Sequence, residues 1–312
     1  MRSRLLKLFV YLTLTLATGL LAAWIYFHPR IDSELDIGYS TRHGERLSYD
    51  VFTPANPNGA ALIVIISGSW KSEEGPFSPW PAAILLRRGY TVFAVRHLSQ
   101  PKSTVTEIVE DLNLAVRHIR FHSANYGIEK ERFGVTGGSS GGHLALMLAT
   151  AIGKQDSSDT NGPIDFESSA VQAAAVFFPV TDLVDLGPST ENPGEGGPPM
   201  SYVEGFGFAH REGDRRRIKK SDLREWRKMA TKLSPIHQLK ESLPPTLIIH
   251  GDADTLAPLD QSQRFLARAN ELGLGGQIEL LTKKKKGHGW ATMIFDLRHF
   301  ADWFDRHLSE TP

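Results

Sequence analysis

Six short apolar runs constrain the fold more than any other feature of this chain. They lie at residues 60–66, 90–95, 132–136, 173–178, 246–250 and 277–281, and β-branched residues are frequent in them. Runs of this kind are typical of strands buried on both faces of a parallel sheet. An alternating run at residues 47–52 predicts one further strand ahead of them.

Segments with helical periodicity separate these runs. They lie at residues 79–88, 106–123, 143–152, 259–272 and 291–308. Strands that alternate with helices imply parallel βαβ units, so the chain is predicted to be of the α/β class. We expect a mostly parallel central sheet with helices on both faces. A length of 312 residues, 41% of them hydrophobic, is enough for one such core.

The composition excludes several functional classes. Lys and Arg number 35, as do Asp and Glu, so the net charge of zero gives no reason to expect a nucleic-acid partner. We interpret the basic runs at 215–217 and 283–286 as solvated surface, with a weak contact to a membrane surface or a polyanion as the alternative. The chain has no cysteine, which excludes disulfides, cysteine zinc sites and a thiol nucleophile.

The N-terminus has the pattern of an export signal. Arg2, Arg4 and Lys7 precede an apolar run at residues 8–27, which is close to the length that spans a bilayer as a helix. We predict an uncleaved signal anchor, with a cleaved signal peptide as the alternative. Residues 1–34 are accordingly assigned to this segment and a linker, and residues 35–312 to one domain. The positive end should stay in the cytoplasm, which places the domain outside it, membrane-anchored or secreted.

One stretch interrupts the alternation of strands and helices. Residues 187–199 are rich in Gly and Pro, and the charged segment 202–232 follows. This insertion, residues 187–232, lies before the penultimate core strand and is too long for an ordinary connection. A cap over the functional site is one interpretation, and a passive surface insertion is the other.

The segment with most chemistry joins the third apolar run to a helix through a Gly-rich turn. Residues 137–142 read Gly-Gly-Ser-Ser-Gly-Gly. The G-x-S-x-G pattern of a nucleophile elbow fits around Ser139 and also around Ser140. Ser139 gives the tighter turn and is the preferred nucleophile. A phosphate-binding loop is a rival, but the turn lacks the Gly-Lys-Ser/Thr ending of a P-loop and the dinucleotide spacing.

A serine nucleophile needs a base, and the base needs an acid that orients it. The fifth run ends at His250, and Asp252 and Asp254 follow at the edge where such sheets keep their active residues. We predict Asp254 as the acid, with Asp252 as the competitor. His288 lies between two glycines in the loop before the last helix and is the predicted base.

Acyl transfer also needs hydrogen-bond donors for the oxyanion. The backbone N–H of Ser140, directly after the nucleophile, is the first predicted donor. The second should come from the loop at residues 67–70, Ser-Gly-Ser-Trp, where Gly68 and Ser69 are the candidates. A plain turn is the alternative for this loop.

These motifs together resemble the carboxylesterase and acetyl-esterase branch of the α/β-hydrolases, which includes hormone-sensitive-lipase-like and acetylxylan-esterase-like enzymes. The similarity rests on residues 135–145, on residues 250–259 with Asp254 in the acid position, and on residues 287–289 around His288. It covers roughly residues 59–308 and implies the α/β-hydrolase fold. Asp182 lies in a stretch that is similar to a segment near the pocket in this branch, and a helix cap is its simpler interpretation.

The oxyanion loop departs from the pattern of this branch. A His-Gly-Gly segment is usual there, whereas this chain has Ser67 in place of the histidine and Ser69 in place of a glycine. Trp70, Trp80 and the insertion are expected to shape the pocket.

The resemblance and the residues together predict a serine hydrolase that cleaves small-molecule carboxylic esters, short-acyl or acetyl, through an acyl-enzyme on Ser139. No cofactor and no metal are expected. One alternative is a serine peptidase of the prolyl-oligopeptidase type, although only about 30 residues lie between the apolar segment and the first core strand, too few for a propeller. The other is a hydrolase-fold binding protein without activity, which would typically lack a member of the triad.

Overall fold

Strands from the described residues form a single sheet in this computed structural model. The structure describes residues 2–150, 163–186 and 223–309. The strands are β1 (Ile31–Arg42), β2 (Glu45–Pro54), β3 (Ala61–Ile65), β4 (Thr91–Val95), β5 (Phe133–Gly138), β6 (Ala173–Phe177), β7 (Thr246–Gly251) and β8 (Ile278–Lys283). Their order across the sheet is β1-β2-β4-β3-β5-β6-β7-β8. The first three strands in this order pair antiparallel, and all the remaining pairs are parallel.

Helices cover both faces of this sheet. The α-helices of the described residues are α1 (Arg2–Phe27), α2 (Ala83–Arg87), α3 (Val105–Phe121), α4 (Ser140–Thr150), α5 (Leu223–Lys232), α6 (Pro235–Gln238), α7 (Asp260–Glu271) and α8 (Met293–His307). One face packs against α3, α4 and α7, and the other packs against α2 and α8. The predicted α/β architecture, with a mostly parallel sheet between two helical layers, is confirmed.

The central strands explain why their sequences are continuously apolar. In β3, Leu62 and Ile63 are both fully buried, and they point into the cores on opposite faces of the sheet. In β4, Val92 and Phe93 divide between the two cores in the same way. Each side chain therefore leaves water whichever way the strand directs it, so no position tolerates a polar residue easily.

The strand β1 was not predicted. It begins at Ile31, inside the stretch that the sequence analysis assigned to a linker, and Ile31 pairs with Pro54. Most of its residues at the start are exposed, because β1 lies at the edge of the sheet. An edge strand buries few side chains, so it has no strong hydrophobic pattern to reveal it.

The N-terminal helix α1 projects from the domain. It is the one helix among the described residues that is long and apolar enough to cross a membrane. Its stretch Phe9–Phe27 has a mean hydropathy of 1.7, and none of it is buried in the protein. Its last turn touches α2, where the Arg87 guanidinium donates to the carbonyl oxygens of Ile25 and Tyr26 at 2.5 and 2.7 Å. The predicted cap lies largely outside the described residues, which include only its last part, the helix α5.

Candidate active site

The Gly-rich turn places Ser139 between β5 and α4. Ser139 has a φ of 55°, in the left-handed region that side chains rarely adopt. A Cβ on Gly137 would lie 2.5 Å from the backbone of Gly141, and one on Gly141 would lie 2.9 Å from the carbonyl oxygen of Ile65. The turn is thus tight enough to require glycine two residues before and two residues after Ser139. That is the geometry of a nucleophile elbow centred on Ser139.

The competing serine has a different environment. Ser140 is buried, and its Oγ lies 3.1 Å from the Oγ of Ser67 and accepts a hydrogen bond from the Trp70 N–H at 3.0 Å. Its side chain therefore joins α4 to the loop at residues 67–70 and does not project from the elbow. The structure places Ser139, the preferred candidate, at the tip of the turn.

The loop after β8 brings His288 to Ser139. The Nε2 of His288 lies 2.9 Å from the Ser139 Oγ, and its Nδ1 lies 2.8 Å from the Oδ2 of Asp254. The ring of Phe178 packs 4.5 Å from the imidazole ring, measured between centroids. Three side chains from loops after β5, β7 and β8 thus form one continuous hydrogen-bonded chain, at the carboxyl edge of the sheet.

Hydrogen bonds to both carboxylate oxygens hold Asp254 in place. Oδ1 accepts from the backbone N–H groups of Leu256 and Ala257 at 2.9 and 3.0 Å, while Oδ2 faces His288. Burial raises the pKa of this carboxyl, but hydrogen bonds from His250, His288 and the Ala257 N–H outweigh that effect and hold the pKa well below its usual range. Asp254 is therefore an anion throughout the ordinary pH range.

The competitor acid has a structural role. Asp252 is exposed, and its Oδ1 accepts from the backbone N–H of Lys285 at 2.5 Å, which ties the end of β7 to the turn after β8. The structure does not bring it to His288. Asp182 also supports a loop: it accepts from the N–H groups of Val184 and Asp185 and binds Arg264 at 2.6 Å.

The two candidates for the second oxyanion donor differ. The Gly68 N–H donates to the Lys71 carbonyl oxygen at 2.9 Å, so it is already used. For the Ser69 N–H, no acceptor occurs among the described residues, and Ser69 is exposed with a φ of 51°. The first donor, Ser140, opens α4, and the N–H of a first helical residue has no acceptor within its helix. Of the three predicted donors, the N–H groups of Ser69 and Ser140 therefore remain available for an oxyanion.

Two buried histidines support the site and were not predicted. His250 at the end of β7 bonds to the Ser262 Oγ and the Ala257 carbonyl oxygen, both at 2.8 Å, and its Nε2 lies 3.4 Å from Asp254. His143 in α4 bonds to the indole of Trp70. The sequence signal for each was its place four residues from a predicted catalytic residue, His143 after Ser139 and His250 before Asp254. No group of three or more potential metal ligands occurs in the described ranges.

Comparison with known proteins identifies a family and several related sequences. The BD-FAE family model matches residues 49–268. Esterase LipQ of Mycobacterium tuberculosis is 28% identical over 215 residues, which are 68% of this chain and 46% of LipQ. Isoprenylcysteine alpha-carbonyl methylesterase ICME of Arabidopsis thaliana is 24% identical over 293 residues, 90% of this chain and 62% of that protein. The chain spans about half the length of the curated relatives it matches.

Solved structures show the same fold. A truncated form of a carbohydrate esterase from gut microbiota superposes with a TM-score of 0.71 at 24% identity, covering 89% of this chain and 97% of that one. A thermophilic esterase of the Planctomycetes species Thermogutta terrifontis superposes with a TM-score of 0.65 at 23% identity, covering 89% and 91%. The chain has the α/β-hydrolase fold that the motifs implied.

Proposed function

The chain belongs to the BD-FAE family, and we propose that it is a carboxylic ester hydrolase that uses Ser139, His288 and Asp254 as a catalytic triad. The observation that supports this most is the continuous chain of hydrogen bonds, 2.9 Å from Ser139 to His288 and 2.8 Å from His288 to Asp254. The curated relatives include proteins named as esterases, which agrees with the proposal.

The reaction is acyl transfer in two steps. The Ser139 hydroxyl gives its proton to the His288 Nε2 as its oxygen attacks the ester carbonyl, and the protonated imidazole then gives that proton to the departing alcohol. Water repeats the sequence on the acyl-enzyme and releases the acid. Asp254, which is ionised, accepts the Nδ1–H of His288, so it keeps Nε2 free to act as the base and stabilises the imidazolium.

The oxyanion is bound by two backbone donors. The Ser140 N–H opens α4, where the helix dipole also favours negative charge. The Ser69 N–H comes from the neighbouring loop, and its lack of a described acceptor supports the assignment. The acyl carbonyl would lie between these two groups and the Ser139 Oγ.

Ser139→Ala and Ser140→Ala form the pair that tests this proposal. With p-nitrophenyl acetate, we expect Ser139→Ala to lower kcat by about 1,000-fold or more, because no nucleophile remains. Ser140→Ala keeps its backbone N–H and should retain the capacity to form an acyl-enzyme. A fluorophosphonate should label Ser139 of the wild type, as located by mass spectrometry of the labelled peptide.

The alternatives predict other results. A hydrolase-fold binding protein would neither label nor turn over. A peptidase of the prolyl-oligopeptidase type would cleave prolyl anilides faster than simple acetyl esters, and short-acyl esters should be the better substrates under the present proposal. Labelling at Ser140 would show that Ser140, and not Ser139, is the nucleophile.

The same proposal includes an attachment to the membrane through α1, retained in the mature protein. Its exposed apolar side chains from Phe9 to Tyr26 have no protein surface to cover them among the described residues, and a bilayer matches their length. The contacts of Arg87 and of the Phe27 ring with Trp80 support a helix that remains joined to the domain. With the basic N-terminus in the cytoplasm, the catalytic domain lies outside it.

A further inference from the structure

One residue, Trp70, joins the loop that carries Ser69 to α4 through two hydrogen bonds, in addition to the contact between the Ser67 and Ser140 hydroxyls. The backbone N–H of Trp70 donates to the Ser140 Oγ at 3.0 Å, and its indole Nε1–H donates to the Nδ1 of His143 at 3.1 Å. Ser140 and His143 are one turn apart in α4, so both acceptors lie on the same side of that helix. Trp70 is buried, and its ring meets the imidazole of His143 edge to face.

These bonds determine the state of the His143 imidazole. An indole N–H can only donate, so Nδ1 must be the acceptor and Nε2 must carry the proton. That proton is donated to the carbonyl oxygen of Leu233 at 2.7 Å. The side chain is completely buried, and burial lowers the pKa of His143 to about 4, so the imidazole is neutral at ordinary pH.

The loop needs such support because its backbone is strained. Ser69 and Trp70 have successive φ values of 51° and 56°, and neither is glycine. Conformations of this kind cost free energy and persist only where neighbouring contacts enforce them. Without the two bonds from Trp70, the loop would be expected to relax and to turn the Ser69 N–H away from Ser139.

We propose that His143 is a positioning residue that holds the oxyanion loop in its active geometry and joins that loop to the chain segment that follows the insertion. The proposal rests on the proposed function, since it assigns a role in that reaction. His143 touches no reacting atom, and it acts through Trp70 on the Ser69 N–H.

The connection to the insertion depends on how firmly Leu233 is fixed. Leu233 follows α5, and the next residue, Ser234, donates its hydroxyl to the Ala230 carbonyl oxygen at 2.6 Å and accepts from the Leu183 N–H at 2.8 Å. The Ile236 N–H donates to the Thr181 carbonyl oxygen at 3.0 Å. The segment that follows the insertion is therefore bound to the loop after β6. Through its bonds to Leu233 and Trp70, His143 connects this segment to the oxyanion loop.

Two amide substitutions separate the two bonds of His143. In His143→Asn, the amide oxygen can occupy the position of Nδ1 and accept from Trp70, while the bond to Leu233 is lost. In His143→Gln, the amide nitrogen can reach the position of Nε2 and donate to Leu233, while the acceptor for Trp70 is lost. Trp70→Phe removes the indole donor and leaves His143 intact.

We expect His143→Gln and Trp70→Phe to lower kcat by about 10- to 100-fold with little change in KM, because the loss falls on the oxyanion of the transition state. The affinity for a trifluoromethyl ketone, which forms the tetrahedral adduct, should fall by the same factor. His143→Asn should keep a higher kcat than His143→Gln. In the double variant His143→Gln/Trp70→Phe, the second substitution should lower kcat by a much smaller factor than the same substitution does in the wild type.

A purely structural role would lower the thermal midpoint of His143→Gln and His143→Asn alike, with kcat and ketone affinity unchanged, and that result would overturn the proposal. If the histidine variants do not fold, an unchanged kcat in Trp70→Phe has the same consequence. Failure of the proposed function itself is recognised separately, because wild-type Ser139 would then neither label with a fluorophosphonate nor bind the ketone.

Discussion

Adjacent glycines at the elbow differ in what a methyl group would meet. A Cβ on Gly137 would lie 2.5 Å from the backbone carbon and oxygen of Gly141, whereas one on Gly138 would be 3.6 Å from the Phe178 ring, an ordinary contact. Backbone atoms cannot rotate away, so Gly137→Ala must displace the turn that presents Ser139.

Gly137→Ala is therefore expected to lower kcat/KM by about 100-fold or more, since an error near 1 Å in the position of a nucleophile has an effect of that order. Gly138→Ala is the matched control and should stay within a few-fold of the wild type. The rates of ester hydrolysis and of fluorophosphonate labelling are to be measured for both variants. Equal losses in the two variants would contradict the clearance argument.

At the scale of the element, α1 and β1 adjoin in sequence but contribute differently to the domain. The apolar stretch of α1 has no buried share, whereas Ile31 to Glu34 of β1 pair with Val51 to Pro54 of β2. The boundary of the folded domain therefore lies before Ile31, and residues 31–34 belong to the sheet.

Two truncations distinguish these contributions. Deletion of residues 1–27 should release the protein from alkaline-washed membranes and leave kcat and the free energy of unfolding nearly unchanged. Deletion of residues 1–34 also removes the start of β1 and should lower the free energy of unfolding by about 2 kcal/mol, from the lost strand pairing. Sedimentation and urea denaturation measure the two effects. If the undeleted chain is recovered from the soluble fraction without its N-terminal apolar segment, the signal is cleaved.

At the scale of the whole molecule, buried neutral histidines make stability depend on pH. Burial lowers the pKa of His143 from 6.5 to about 4. Between those two values the unfolded chain binds a proton that the folded protein does not, so the free energy of unfolding rises with pH across this range. The stability that the neutral His143 contributes is fully present above about pH 6.5 and is lost as the pH falls toward 4.

Comparison with His143→Gln isolates this contribution. From pH 7 to pH 5, the wild type should lose about 2 kcal/mol more than the variant, as expected for one histidine with these two pKa values. His97, whose pKa burial also lowers to about 4, is present in both proteins and cancels in the difference. Urea denaturation at the two pH values measures it, and parallel pH dependence would show that His143 titrates normally in the folded protein.

Much of the architecture was accessible from local sequence pattern. The predicted core strands and helices match those of the described residues within a few positions, because strands buried on both faces and amphipathic helices leave a strong hydrophobic period. The elbow motif and the order of Ser139, Asp254 and His288 along the chain, each in a loop after a predicted strand, were the basis on which the sequence predicted them as the triad. The edge strand β1 and the short helix α6 were not predicted, and the exposed residues of β1 have no such period.

Other features depended on distances between segments remote in sequence. The pattern fitted both Ser139 and Ser140, with Ser139 preferred for its tighter turn, but the physical reasons came from the structure: the clearance between Gly137 and Gly141, and the contacts of Ser140 with Ser67 and Trp70. Gly68 and Ser69 could be separated only by the bond of Gly68 to Lys71. The role of His143 requires three segments to meet around one imidazole. Periodicity records which side of an element faces the core, whereas hydrogen-bond partners across loops are set by how the elements pack.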